Sequence, residues 1–513
     1  MKLNKIFNML SVAAVALFAT ACNDTDAQYS IPDVAAPQYV STALTEDKPV
    51  FYGETTFKVT FDQNVNFSTK NVSQITVNGK PAAKANVYGA APTLTVTGNV
   101  DFCNSVVLHV PAGLIANAQG KTYDQAIDVT FNVKEKPSNN ATAVSQMLGW
   151  GWNLGNHFDT SGDAISQGWG YWDQVDTMTD APFKTLAGAG AKTVRIPTTW
   201  TDHMDDNYTI SADYLAEVAG CVDKALAAGL NVILNTHHDC FETTLGEAAE
   251  KKEAYLRDST IIVRLWTQVA TYFADRSDKL IFETFNEVHA GDNWGGGKTA
   301  EYTLLNDWNQ WAVDAIRKTG GNNATRWIGV AGYAANIDLT INNLVIPEDP
   351  ANRIMVGVHC YDPYNFCLQP YGTDGAATVT AWGHASTGDY SEEGYAISQL
   401  YKLRTAYIEK DIPCYLGEYG CVWKKSDMEN AFRAYYLEFF CRAANWACIP
   451  MLIWDNNSKS TGNEASGYID HATGEWLNDS QTMVPLMIKA CTSTDSSYDF
   501  QSIWKKSPTN TAE

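Results

Sequence analysis

The sequence predicts a small all-β sandwich followed by a (β/α)₈ barrel. Three observations predict it. At 513 residues the chain is too long for one ordinary core. All sixteen tryptophans lie at or beyond Trp150, which marks a change of composition. Short alternating runs precede that point, and eight strand-like runs separated by amphipathic stretches follow it.

Residues 1–21 read as an export signal. Lys2 and Lys5 form a basic start, Ile6 to Ala19 is mostly apolar, and small residues precede Cys22. The run is short for a membrane span. Ala19-Thr20-Ala21-Cys22 resembles a bacterial lipoprotein box, with Ala19 in place of the usual Leu. The resemblance implies lipidation of Cys22 and residues 22–35 as a tether, whose acidic Asn23-Asp24-Thr25-Asp26 resembles that of exported Bacteroidetes lipoproteins. An outer-membrane or cell-surface location is expected, with secretion as the alternative if cleavage after Ala21 leaves no lipid.

Residues 36–134 carry Thr56–Phe61, Gln74–Val77, Leu94–Thr97, Val106–Val110 and Ile127–Val133, all rich in β-formers. Asn78-Gly79 and Gly98-Asn99 read as turns between them. Val110-Pro-Ala-Gly-Leu-Ile-Ala-Asn-Ala-Gln-Gly120 resembles bacterial Ig-like modules. The module holds no Trp, so it lacks a flat sugar platform and reads as a spacer. Residues 135–146, with Pro137 and a Ser/Asn run, read as a linker.

Residues 147–513 read as the barrel domain. Its strands are predicted at Leu148–Leu154, Lys192–Pro197, Asn231–Thr236, Leu280–Phe285, Trp327–Gly332, Ile354–His359, Pro413–Gly417 and Ile449–Trp454. Helices are predicted between them, as at Ala212–Ala228, Thr260–Ala274, Leu304–Lys318 and Met428–Asn445. A barrel of this kind gathers its active site at the C-terminal strand ends.

A net charge of −22 argues against nucleic-acid binding and is compatible with a neutral substrate. Beyond Cys22 there are ten cysteines, an even number that permits disulfides in an exported protein. There is no C-x-x-C, and Cys221, Cys414, Cys441 and Cys448 sit in apolar runs, so buried free thiols are expected for most. No cofactor, no metal and no membrane contact beyond the N-terminal lipid is expected, and the chain is expected to be a monomer.

Glu287 and Glu418 each end a short apolar run, Leu280–Glu287 and Cys414–Glu418. Two carboxylates at the ends of two buried strands are what acid-assisted cleavage of a glycosidic bond requires, one protonated and one ionised. Around them the strand ends read Gly149-Trp-Gly-Trp-Asn-Leu-Gly-Asn156, Arg195-Ile-Pro197, Asn235-Thr-His-His-Asp239, Phe285-Asn-Glu287, His359-Cys-Tyr361, Gly417-Glu-Tyr419 and Trp454-Asp-Asn456. Seven motifs in this order resemble glycoside hydrolase family 5, most closely its subfamily 4 of endo-β-1,4-glucanases and xyloglucanases.

The resemblance implies Glu287 as acid/base and Glu418 as nucleophile. It places Arg195 and Tyr361 on Glu418, Asn286 on a sugar 2-hydroxyl, and Trp454 beneath the sugar at the cleavage point. His237, His238 and His359 would bind substrate or orient the glutamates, and Asn153 and Asn156 would contact the same region. The expected activity is retaining hydrolysis of internal β-1,4 bonds in β-glucans. The alternatives are a mannanase, or a non-catalytic glycan-binding lipoprotein. Glu283 reads as a satisfied barrel carboxylate, and Asp239 and Asp455 as structural or rim residues. His237 and His238 read as a poor chelate, because neighbours on an extended chain point opposite ways. Trp172, Trp200, Trp294 and Trp308 are candidate glucan platforms or packing residues.

Overall fold

The computed structural model describes residues 32–46, 49–372, 376–388 and 390–509. Cys22 and the export segment lie outside the described residues. Among those described, no helix is long and apolar enough to cross a membrane.

The N-terminal module is two packed antiparallel sheets. Its strands are β1 (Tyr39–Leu44), β2 (Phe51–Phe61), β3 (Asn66–Phe67), β4 (Thr76–Val77), β5 (Lys80–Pro81), β6 (Lys84–Asn86), β7 (Thr93–Cys103), β8 (Ser105–Val110), β9 (Ile115–Ala116) and β10 (Ile127–Asn132). One sheet runs β1-β2-β7-β6 and the other β10-β8-β4-β5, while β3 and β9 pair as a separate two-stranded ribbon. Phe57, Val59, Leu94, Val96, Val106 and Leu108 fill the space between them, because alternate residues of each strand point inward. Asn78 and Gly79 turn β4 into β5 with positive φ, as expected. Gly98-Asn99 is not a turn: it lies inside the long strand β7. A Cβ on Gly98 would stand 2.6 Å from Val77 Cγ2, so this glycine serves the close approach of the opposite sheet.

The stretch expected as a linker is partly helical. Asn139 caps α1 (Asn140–Leu148) by accepting from the Thr142 N–H, and a capped nine-residue helix displaces the loop that Pro137 suggested. Val144 and Leu148 of α1 join Ile233, Ile281, Trp327, Met355, Tyr415 and Leu452 in one apolar cluster, which closes the N-terminal end of the barrel.

The barrel is closed and all parallel: β11 (Trp150–Asn153), β12 (Thr193–Ile196), β13 (Asn231–Asn235), β14 (Leu280–Glu283), β15 (Ile328–Asn336), β16 (Ile354–Cys360), β17 (Cys414–Tyr419) and β18 (Met451–Ile453). Each overlaps its predicted run. The helices around it are α2 (Ala181–Ala189), α3 (Ala212–Ala227), α4 (Phe241–Glu250), α5 (Lys252–Tyr272), α6 (Thr299–Lys318), α7 (Ile337–Asn343), α8 (Tyr364–Cys367), α9 (His384–Thr387), α10 (Ser391–Ala406), α11 (Asp427–Ala447), α12 (Ser480–Thr492) and α13 (Phe500–Trp504). Helices cover the outside and side chains fill the inside, so the strands are buried on both faces and read as nearly continuous apolar runs.

The sandwich is docked on the barrel and does not hang free. Phe102 of β7 is fully buried, with ring centroids 5.8 Å from Phe439 and 5.6 Å from Phe500. Lys134 reaches Tyr401, and Lys136 reaches Asn445.

Candidate active site

Arg195 is the centre from which the site is built. It is fully buried at the end of β12, and its guanidinium donates to four side chains. Nη1 reaches Asn153 Oδ1 at 3.0 Å and Glu418 Oε1 at 2.8 Å. Nη2 reaches Glu283 Oε1 at 2.6 Å and Asn286 Oδ1 at 2.8 Å. A planar fork with five N–H groups can serve four acceptors arriving from three strand ends at once, which an ammonium could not.

Glu283 is a satisfied barrel carboxylate, as expected. Besides Arg195 it accepts from Asn235 Nδ2 at 3.0 Å and from Tyr415 Oη at 2.6 Å. Gly329 and Gly357 leave the room that Tyr415 occupies. Tyr415 and Asn235 were not singled out from sequence, since nothing marks a strand residue whose partner sits on another strand.

Glu418 ends β17 and is almost wholly buried. Tyr361 donates to Oε2 at 2.9 Å, and His359 Nδ1 stands 3.7 Å from the same oxygen. Burial pushes the Glu418 carboxyl up, but the charges of His359 and Arg195 and the hydrogen bonds from Tyr361 and Arg195 outweigh burial and hold it below the usual range. His359 Nδ1 lies 2.6 Å from Glu287 Oε1, so one imidazole faces both glutamates. Burial disfavours its charge, yet Glu418 and Glu287 raise its pKa above the ordinary value. A Cβ on Gly417 would meet His359 Nε2 at 2.9 Å, so glycine beside Glu418 makes space for that ring. Glu287, Glu418 and His359 each present an atom within 4.8 Å of the others.

Trp454 and His237 form a parallel pair of rings, 5.8 Å apart and 8° from coplanar, beside this cluster. A Cβ on Gly155 would strike the Trp454 ring at 2.6 Å, so Gly155 lets the indole lie flat on the backbone. Burial, followed by the charges of His238, Arg195 and His359, keeps His237 neutral far below its ordinary pKa.

A family model described as Cellulase (glycosyl hydrolase family 5) matches residues 155–460. The chain belongs to glycoside hydrolase family 5. Endoglucanase A of Clostridium longisporum is 33% identical over 363 residues, which cover 67% of this chain and 65% of that protein. Endoglucanase A of Paenibacillus barcinonensis is 33% identical over 341 residues, 62% of this chain and 82% of that one. Among solved structures, a native Bacteroidetes-affiliated GH5 cellulase linked with a polysaccharide utilization locus is 37% identical with a TM-score of 0.67, covering 72% of this chain and 98% of that chain. A GH5-4 broad specificity endoglucanase from Bacteroides salanitronis is also 37% identical, with a TM-score of 0.65 and coverage of 70% and 97%. This family 5 chain is a glycoside hydrolase of the endoglucanase type.

Not every predicted residue of the family 5 site faces the cleft. Asn153 is fully buried and spends its amide on the carbonyls of Gly417, Leu452 and Ile453. It holds Arg195 and the barrel closure. Asn156 lines a separate hollow beside Trp172. Asp239 is structural, accepting from the Trp200 and Thr201 N–H groups, and Asp455 accepts from Trp152 Nε1 at 2.8 Å. Trp200 and Trp308 are packing residues with no exposure. Trp172 and Trp294 are 37% and 52% exposed; Trp172 lines a hollow of about 550 Å³ with Asn156, and Trp294 lines one of about 590 Å³ with Glu287, His359 and Tyr361.

The geometric reason against a His237–His238 chelate fails. The rings sit 4.6 Å apart, and ligand atoms of both lie within 4.8 Å of Asp159. β13 stops at Asn235, so the alternation of an extended strand no longer applies two residues later. Glu242 and Asp159 answer much of His238's charge, which outweighs its burial and raises its pKa to about 9.

Proposed function

We propose that this protein is a retaining endo-β-1,4-glucanase acting on soluble β-glucans or xyloglucan, lipid-anchored through Cys22. The observation that carries the mechanism is the spacing of Glu287 and Glu418, whose nearest oxygens lie within 4.8 Å. Retaining enzymes keep their carboxyl groups about 5–5.5 Å apart, too close to seat the water that inversion needs.

In this reading Glu418, held ionised by Arg195 and Tyr361, attacks the anomeric carbon. Glu287 gives its proton to the departing glycosidic oxygen. The covalent glycosyl-Glu418 ester is then cleaved by a water that Glu287 deprotonates, and both groups return to their starting states. Asn286, fixed by Arg195, meets the 2-hydroxyl. Trp454 supports the sugar at the cleavage point, with Trp172 and Trp294 beneath the chain on either side. Aromatic faces suit the C–H faces of glucose, and similarity to the GH5-4 broad specificity endoglucanase from Bacteroides salanitronis supports β-glucans as the substrate class.

Proton NMR of the first product tests the mechanism: the β-anomer is expected before mutarotation, and an initial α-anomer overturns it. A reducing-sugar assay on β-glucan, xyloglucan and mannan tests the substrate. Fractionation with fatty-acid labelling tests the anchor, with Cys22→Ala expected to release an active enzyme from the membrane. An unlabelled, correctly exported wild type would make it a secreted protein.

A further inference from the structure

Tyr361 opens the loop after β16 and Glu418 stands at the end of β17, and the loops that follow bring two cysteines together. Cys367 ends α8, just beyond Tyr361, and Cys421 lies three residues past Glu418. The Val422 N–H donates to the Cys367 carbonyl at 2.8 Å, so the two backbones run side by side. The Cys421 thiol points at the carbonyl of Phe366, the residue before Cys367, 3.8 Å away, and both cysteines are free thiols in the structure. Both side chains are buried.

Two cations are sunk beside this pair. Lys424 and Arg433 are each only 1% exposed. Lys424 Nζ donates to the Phe366 carbonyl and lies 4.3 Å from the centre of the Phe366 ring. Arg433 donates to the Cys421 carbonyl at 2.7 Å and to Tyr468 Oη at 2.6 Å. Burial resists a thiolate at Cys421, but Cys367, Lys424 and Arg433 prevail and bring its pKa to about 7. A thiolate is the reacting form in disulfide exchange.

We propose that Cys367 and Cys421 become a disulfide in the exported protein, clasping the Tyr361 loop to the Glu418 loop. The inference rests on the export reading of residues 1–21 and on no particular substrate. The bond forms late in folding, as the loops bring Lys424 and Arg433 up to Cys421 and while the pair is still open to an oxidant. The Cys421 thiolate attacks one sulfur of a disulfide-bearing oxidant, giving a mixed disulfide and releasing the oxidant's first thiolate. The Cys367 thiolate then attacks the Cys421 sulfur and expels the second. Two thiol protons leave the chain, and two electrons pass to the oxidant, which becomes a dithiol. The clasp holds the Tyr361 hydroxyl on Glu418, so it acts on positioning and not on the chemistry itself.

The test is a thiol map of the full chain purified after export. Free thiols are blocked with N-ethylmaleimide in denaturant, and the unreduced digest is read by mass spectrometry. A linked peptide pair through Cys367 and Cys421 is expected, with both positions unlabelled. Complete labelling of both overturns the proposal. Cys441 and Cys491 lie on the packed helices α11 and α12, and the map distinguishes that pair. A second readout is melting. Reductant should lower the wild-type Tm by several degrees, while Cys367→Ser, Cys421→Ser and the double variant should melt equally low and ignore reductant. Additive losses with a reductant-insensitive wild type also overturn it. Refolding cytoplasmically made chain in a glutathione redox buffer separates the two premises. A link formed there but absent from cells shows that the export reading has failed and the pairing has not.

Discussion

Arg195 Nη1 stands 2.8 Å from Glu418 Oε1, with neither side chain open to bulk water. The same guanidinium also compensates Glu283. One cation therefore faces two carboxylates in the barrel mouth, and its loss would leave Glu283 without its counter-charge and Glu418 with only the His359 imidazole. Arg195→Met is expected to cost about 3–5 kcal/mol of stability, the usual penalty for orphaning a buried charge. Chemical denaturation measures the loss. Arg195→Lys should not restore activity, since a single ammonium cannot serve four acceptors spread over three strand ends.

The two glutamates should separate by leaving group. Glu418→Ala is expected to lose turnover on every substrate, because no other group forms the ester. Glu287→Ala should lose roughly 10²–10⁴-fold on polysaccharide yet keep much of its first-step rate on a dinitrophenyl cellobioside, which departs without a proton. Identical leaving-group dependence in both variants would reverse or remove the assigned roles.

His359 should set the acid limb of the pH profile. Glu418 is depressed in the folded enzyme against the pull of burial, so activity that needs it ionised persists below its ordinary pKa. Without the His359 charge burial gains ground. His359→Asn is expected to move the acid limb of kcat/KM upward by roughly one unit, the scale of one lost neighbouring charge. A limb that stays in place would mean that Arg195 alone keeps Glu418 ionised.

His471 offers a pH test of stability. It is fully buried, 2.9 Å from Asp173 Oδ2 and 3.4 Å from Asp455 Oδ1. Burial opposes its charge, but Asp173 and Asp455 raise its pKa from 6.5 to about 9. A raised histidine pKa stabilises fully below the unfolded value and is lost as pH climbs through the folded one. The Tm gap between wild type and His471→Gln should be widest below pH 6.5 and shrink toward pH 9 and above. A gap that does not change with pH would show that the imidazole acts by packing alone.

Phe102 tests whether the sandwich supports the barrel. Phe102→Ala is expected to cost about 3–5 kcal/mol, as for other buried aromatic truncations. Its effect on kcat/KM at a temperature where the protein stays folded should be small, because Phe102 meets Phe439 and Phe500 on the outer layer and not the cleft. A variant that melts like wild type would restore the picture of a loosely tethered spacer.

The eight barrel strands were legible because each is buried on both faces and carries little but apolar residues, bounded by the polar motifs of the strand ends. Helix α1 was not, since one Pro and several Ser and Asn residues look like loop until Asn139 is seen as a cap and Val144 and Leu148 find the barrel floor. Glycines misled in the same way. Gly98 is in a strand because Val77 of the other sheet crowds it, a fact about a neighbour distant in sequence.

Sequence alone determined the order of elements, the presence of Glu287 and Glu418 at two strand ends, and the family those motifs belong to. These are local properties: periodicity, composition and short spacings survive in one dimension. Only the tertiary structure decided that Asn153 faces inward and that His237 and His238 converge. It alone separated Trp172 and Trp294 from the buried Trp200 and Trp308, and set Cys367 against Cys421. Each of these depends on which residues from distant elements share a small volume, and burial and hydrogen bonding are settled there and not along the chain.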